Sequence, residues 1–275
     1  MQLFSSWTGS DFLQFYIALL GLSAVAAWWI PAQLRPSGRP SDSLDAEDLA
    51  VLGGGRERFA DSLLADLFVR GGLAEVGSGK LEVVQPGIPA SPAGKVLLAY
   101  GAPISSSEAS KVVGAHAERV AARLRRAGLL LRPEELTQLR WLSIAPLCAL
   151  LLLGLYRQRA GSAEGEATGF LVILMVLTAV LALVRFFKVD RRTREGIAAV
   201  QRARARGSRL SSAPRPEEVS IAVALFGTGV LVGTPWEPVH AMRHQGSNGD
   251  GGGSSDSSSD GGGDGGGGGC GGCGG

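Results

Sequence analysis

The side chains best suited to metal or redox chemistry lie near the end of the chain. Cys270 and Cys273 form a C-x-x-C pair in the run CGGCGG. That spacing is a half-site for Zn²⁺, or a redox dithiol. A closed structural zinc site takes four nitrogen or sulfur ligands, and the nearby candidates to complete one are His240 and His244, four residues apart and so on one face of a helix. The 25 residues between His244 and Cys270 are mostly glycine, so closing that loop gives little preorganisation. Zinc at this tail is the one cofactor the sequence suggests. Cys148 lies in an apolar run and reads as a small apolar filler, and His116 reads as a surface or half-buried residue of an amphipathic helix. The sequence contains no G-x-S-x-G, Walker A or H-E-x-x-H motif. The Gly53–Gly55 run follows a helical pattern rather than a strand, so it lacks the context of a phosphate loop. The expectation is a protein that is not an enzyme.

What must position these residues is not an ordinary soluble fold. Of 275 residues, 45% are apolar and 19% charged, against about 25% charged in typical chains. Glycine accounts for 41 residues, and 17 of these fall between Gly246 and Gly275. The net charge of +2 conceals a partition: residues 40–140 are near neutral, 190–216 hold eight Arg against Asp190 and Glu195, and 217–275 hold one Arg against seven acids. Such patterning bears on orientation and partners.

Three apolar runs are candidate transmembrane helices. Phe12–Ile30 holds no charge, and nineteen helical residues span roughly 28 Å of the ~30 Å hydrocarbon core. It lacks a basic segment before it and a small-residue cleavage site after it, so it reads as an uncleaved helix rather than a signal peptide. Trp141–Tyr156 is bounded by Arg140 and Arg157, whose side chains can reach the interface. Gly169–Val184 is closed by Arg185 and Lys188, with residues 157–168 as a short outer loop. Nine basic residues (Arg35, Arg39, Arg132, Arg140, Arg185, Lys188, Arg191, Arg192 and Arg194) fall on one side of these spans and two, Arg157 and Arg159, on the other. The bias places residues 1–11 outside the cell membrane and the segment 31–140 in the cytoplasm. Val219–Thr234 is a fourth apolar stretch, expected either to lie at the interface or to span.

Residues 44–132, after a linker at 31–43, read as a cytoplasmic module. The first unit, 44–84, has a helix over LDAEDLAVL stopped by Gly53–Gly55, a second from Arg56 to Arg70, and a β-hairpin turning at Gly77-Ser78-Gly79-Lys80. That order resembles a winged helix. A partial second unit is expected over 93–131, with Ser105–Ser107 and Glu108 as its helix cap. Winged helices often bind DNA, but this module lacks the basic face that phosphate neutralisation needs, so nucleic acid is an unfavoured partner and an unknown protein partner is favoured.

The basic stretch 190–216 is expected as a juxtamembrane helix laying Arg191, Arg192, Arg194, Arg202, Arg204 and Arg206 against anionic lipid headgroups, at about 1 kcal/mol per basic residue. The Gly/Ser/Asp/Cys tail, 245–275, cannot bury enough apolar area to offset its ordering entropy and is expected to be disordered. The fold class expected is mainly α: a multi-pass helical membrane protein with a tandem winged-helix-like module and a disordered tail. The function expected is a membrane-anchored interaction or scaffold module. The alternatives are a membrane-tethered regulator that binds nucleic acid, or metal or thiol chemistry at the tail.

The order of segments DFLQFYIALLGL, DLAVLGGGRERFADSLLADLFVRGGL, RLRRAGLLL, GFLVILMVL, RRTREGIAAVQRARAR, VALFGTG and CGGCGG resembles a family of uncharacterised membrane proteins from actinobacteria and cyanobacteria. Its members share an N-terminal domain and a Gly/Cys-rich C-terminus. The resemblance covers nearly the whole chain and implies a membrane location, without implying catalytic residues.

Overall fold

The computed structural model describes residues 9–41, 43–77, 79–163 and 169–247. In chain order these form α1 (Gly9–Leu34), α2 (Ala46–Val69), the strands β1 (Leu73–Gly77) and β2 (Lys80–Val83), α3 (Pro92–Leu98), α4 (Ser106–Val112) and α5 (Gly114–Arg126). The long α6 (Pro133–Ala163) and α7 (Gly169–Phe187) follow, then α8 (Arg194–Arg206), α9 (Val219–Phe226) and α10 (Glu237–Ser247). The chain is mainly helical, with one small antiparallel sheet among the described residues.

Helices α1, α6 and α7 are each long and apolar enough to cross a membrane. They pack as a bundle, α6 lying against both of the others. Its interior is narrow: Phe12, Tyr16, Leu150 and Leu171 form one buried cluster, and Ala27, Leu147 and Ala182 another. Gly154 lets the helices approach, since a Cβ there would stand 3.1 Å from the Tyr16 ring. Tyr16 and Thr178 satisfy one another across the bundle at 3.3 Å. The apolar bulk faces outward instead, with Leu22, Val25, Phe170, Ile173 and Val176 all more than half exposed. That is the inverse of a water-soluble helix bundle. The carboxyl ends of α1 and α7 and the amino end of α6 lie together. Arg185 Nε donates to the Ala27 carbonyl at 3.0 Å, and Arg140 sits over the Phe186 ring at 5.5 Å. All three helices extend beyond the apolar runs that mark them in the sequence. The expected outer loop 157–168 is helical as far as Ala163.

The remaining helices build a separate core at that end. Helix α2 is its axis, broken where Gly54 (φ −162°) and Gly55 (φ +66°) leave helical geometry. Only glycine adopts the second of these without strain. Leu49, Leu52, Phe59, Leu64 and Leu67 on its two halves are buried. The hairpin pairs Leu73 with Val83 and Glu75 with Leu81 across a bulge before Gly77. Ile104 adds a bridge to Leu81 through hydrogen bonds of 3.0 and 2.7 Å. Ser105 and Glu108 form the anticipated capping box at the start of α4.

The apolar run at 219–234, expected to lie at the interface or to span, does not form a helix of span length. It is the eight-residue α9 and a short 3₁₀ turn, and α9 is the closest partner of α2, with Val219, Ala222, Val223, Ala224 and Leu225 almost wholly buried. Its residues before Leu225 and Phe226 are small or β-branched, and Gly53 of α2 meets it so closely that a Cβ there would fall 2.6 Å from the Ala224 carbonyl. A short helix apolar on every face suits the centre of a core. The domain therefore does not close at residue 132; it also takes in α8, α9 and α10. The supposed second unit over 93–131 forms three helices without a hairpin of its own, and its final leucines make an isolated bridge, Leu130 to Arg192.

Candidate functional site: an arginine-lined cleft where bundle and domain meet

A cavity of about 760 Å³ lies between the domain and the base of the bundle. Four elements wall it. The broken turn of α2 brings Gly53–Gly55, Arg56 and Arg58; α5 brings Ala117, Glu118, Ala121 and Arg125. The start of α6 and the residues before it supply Leu130, Leu131, Pro133 and Leu136, and the segment after α7 supplies Asp190, Arg191 and Arg192. Each element enters for a local reason. The glycine break turns α2 at the cleft wall, the left-handed Gly128 (φ +77°) stops α5, and Pro133 opens α6.

Five guanidinium groups thus face two carboxylates. Both carboxylates are already engaged. Glu118 accepts from Arg125 at 2.6 Å, and Asp190 accepts from Arg192 at 2.9–3.1 Å with Arg35 a further 3.9 Å away. Arg58 abuts the turn that ends α9, its guanidinium carbon 3.3 Å from where a Cβ on Gly227 would stand. Arg56 and Arg191 are exposed, and neither has a carboxylate partner among the described residues. The cleft carries surplus positive charge beside an apolar wall of leucines. Forked guanidinium donors match phosphate or carboxylate oxygens in pairs.

The basic residues anticipated as a lipid-facing row have divided roles. Arg194 Nη2 donates to the Ala32 and Gln33 carbonyls at 2.9 and 2.7 Å, capping α1. Arg204 Nε donates to the Leu225 carbonyl at 3.0 Å at the end of α9. Arg202 pairs with Glu195, and Arg192 with Asp190. Cations near helix carboxyl ends complement the exposed carbonyls and the dipole. Arg191 and Arg206 keep exposed side chains. Ala199 and Val200 bury α8 against the domain core, so the helix does not lie free on a surface.

His240 and His244 are brought together on α10, their rings edge to face with centroids 4.5 Å apart. His240 Nδ1 lies 3.1 Å from Thr228 Oγ1. Burial, with the neighbouring His244 adding to it, pushes the His240 imidazole below its ordinary range. Cys270 and Cys273 lie outside the described residues. Among the described residues no three His, Cys, Asp or Glu side chains gather as a metal site. Cys148 is half-buried in α6.

Sequence reasoning missed the cleft. Its one local signal was the glycine triplet followed by Arg56 and Arg58, since the facing wall comes from residues far along the chain. No protein-family model, curated protein or solved structure matches this chain.

Proposed function

We propose that the protein is a multi-pass membrane-anchored interaction module, non-enzymatic, with its N-terminus outside and its helical domain in the cytoplasm. The observation that carries this reading is where large apolar side chains remain exposed. Most lie around α1, α6 and α7, as lipid contact requires. In the domain they gather in one stretch, at Val76, Val84, Val96 and Tyr100, with Val232 apart. The first four belong to the hairpin, the helix after it and the residues flanking them, the region that resembles a wing, and large apolar side chains left in water there offer contacts to a partner. The nine-to-two bias of basic residues supports the orientation.

The test is topology mapping with reporters fused after Ala90, Ala163, Leu210 and Gly275. Cytoplasmic, external, cytoplasmic and cytoplasmic signals are expected in that order. A full chain that stays in the supernatant after high-speed centrifugation without detergent overturns the anchor. For the interaction surface, a photo-crosslinker at Val76 or Tyr100 is expected to yield a discrete heavier species in cells, and one at Arg126 none. Equal labelling at all three positions overturns the surface.

A further inference from the structure

We infer that the cleft between domain and bundle binds the phosphate group of an anionic ligand, either the headgroup of a membrane phospholipid or a soluble phosphate ester. Four observations converge. The charge surplus is structural rather than diffuse: Glu118 and Asp190 are held by Arg125 and Arg192, which leaves Arg56 and Arg191 to meet a ligand from two different elements. Guanidinium pairs in a cleft recognise phosphate by bidentate donation as well as by charge.

The space is built for more than a counterion. A volume of about 760 Å³ falls within the ~300–1,000 Å³ range of small-molecule sites. The half-buried Leu130 and Leu136 offer an apolar surface beside the arginines, suited to the first methylenes of a lipid.

One wall depends on a missing side chain. A Cβ on Gly54 would stand 2.7 Å from the Cβ of Arg58. Glycine there leaves Arg58 its place, and Gly114 lies in ordinary contact distance of Arg56, its Cβ position 3.4 Å from Arg56 Cδ.

Location completes the argument. The cleft includes the first turn of α6 and the residues just after α7. On the membrane-anchor reading, these stand at the depth of the headgroups, where anionic lipid is concentrated and each basic residue gains about 1 kcal/mol. Only the lipid source of the phosphate rests on that reading; the phosphate site itself does not.

The experiment uses the full chain in an uncharged detergent and reads its melting temperature with added phosphatidylglycerol, phosphatidylcholine or glycerol 3-phosphate. Phosphatidylglycerol is expected to raise the melting temperature and phosphatidylcholine to leave it unchanged. The double variant Arg56→Gln/Arg191→Gln is expected to lose affinity roughly tenfold or more, from two charge-assisted contacts. The variant Arg119→Gln/Arg126→Gln, which removes the same charge elsewhere on the domain, should behave as the wild type. Equal responses of the two variants overturn the site. Stabilisation by glycerol 3-phosphate as strong as by phosphatidylglycerol supports the phosphate site and assigns its ligand to the soluble class.

A second measurement needs no substitution. Phenylglyoxal modification of the wild-type chain, mapped by mass spectrometry, is expected to spare Arg56 and Arg191 when phosphatidylglycerol is present. Unchanged modification with every phosphate compound overturns the inference. Recovery of the chain in the detergent-free supernatant, with Arg56 and Arg191 still protected by glycerol 3-phosphate, would overturn the membrane anchor and leave the phosphate site standing.

Discussion

Helices α7 and α9 begin as near twins in the sequence: Gly169–Val184 and Val219–Thr234 are uncharged, apolar and sixteen residues long. They end in opposite settings. Helix α7 runs unbroken for 19 residues, and Phe170, Ile173, Val176 and Val180 are more than half exposed. Helix α9 stops after eight at the left-handed Gly227 (φ +89°) and is enclosed by the domain. Apolar content alone cannot separate lipid from protein interior, since both reward the same transfer from water. Unbroken length, side-chain size and flanking charge separate them. Helix α7 ends in Arg185 and Lys188, whereas α9 follows Glu217 and Glu218.

Placing an acid on each helix should break the likeness most sharply. Val223→Asp buries a carboxylate in a fully enclosed site and is expected to cost roughly 4 kcal/mol or more. The domain should become protease-sensitive while the chain still sediments with membranes. Ile173→Asp should do the reverse. Charge on the outward face of α7 costs about 3 kcal/mol of insertion and leaves the domain core untouched. If both variants fail in the same assay, α7 and α9 share one environment and the distinction is lost.

A smaller change probes the contact that holds α9 in place. Gly53→Leu forces side-chain atoms against the Ala224 carbonyl, which a Cβ alone would already approach to 2.6 Å. Overpacking of this kind costs roughly 1–3 kcal/mol. The domain's melting transition should fall accordingly, and helix insertion should be unaffected. An unchanged transition would mean that α2 and α9 do not meet at that glycine.

The long apolar helices and the caps were readable because each leaves a local mark. An uncharged run of span length needs no partner to identify it, and Ser105 with Glu108 states its own capping box. The hairpin at Gly77–Lys80 was equally local, with glycines supplying positive φ at 77 and 79. What stayed hidden depends on contacts across the chain. Arg194 and Arg204 look like members of a lipid-facing row until the carbonyl ends of α1 and α9 arrive beside them. Likewise, Arg56 and Arg191 become one site only when α2 and the segment after α7 meet. A guanidinium has the same sequence signature whether it faces headgroups, caps a helix or lines a cleft.

The joint between the two regions can be loosened through Arg194. Its guanidinium is exposed and donates to two carbonyls at the end of α1, so Arg194→Gln should weaken the docking of the domain by about 1 kcal/mol. Faster proteolysis in the linker around Arg39 is expected, with both the bundle and the domain core retained. Unchanged cleavage would assign the docking to other contacts.

The smallest effect tests whether the domain alone answers to acid. The Ser105 backbone N–H and hydroxyl donate to the Glu108 carboxylate at 2.8 and 2.7 Å and hold it below the usual carboxylate range. Its value in the folded chain is therefore lower than in the unfolded chain. The stability it contributes is present above the unfolded value and is lost as pH falls through the folded one. Glu108→Gln keeps an acceptor oxygen but cannot titrate. The variant should melt slightly below the wild type at neutral pH, by less than about 1 kcal/mol for a half-exposed group. The gap should close in acid, where the wild-type carboxyl is protonated. Since the bundle's spans hold no acid between Phe12 and Ile30 or between Gly169 and Val184, membrane retention should not follow the same curve. A gap that widens on acidification would reverse the sign and remove the capping box from the domain's acid response.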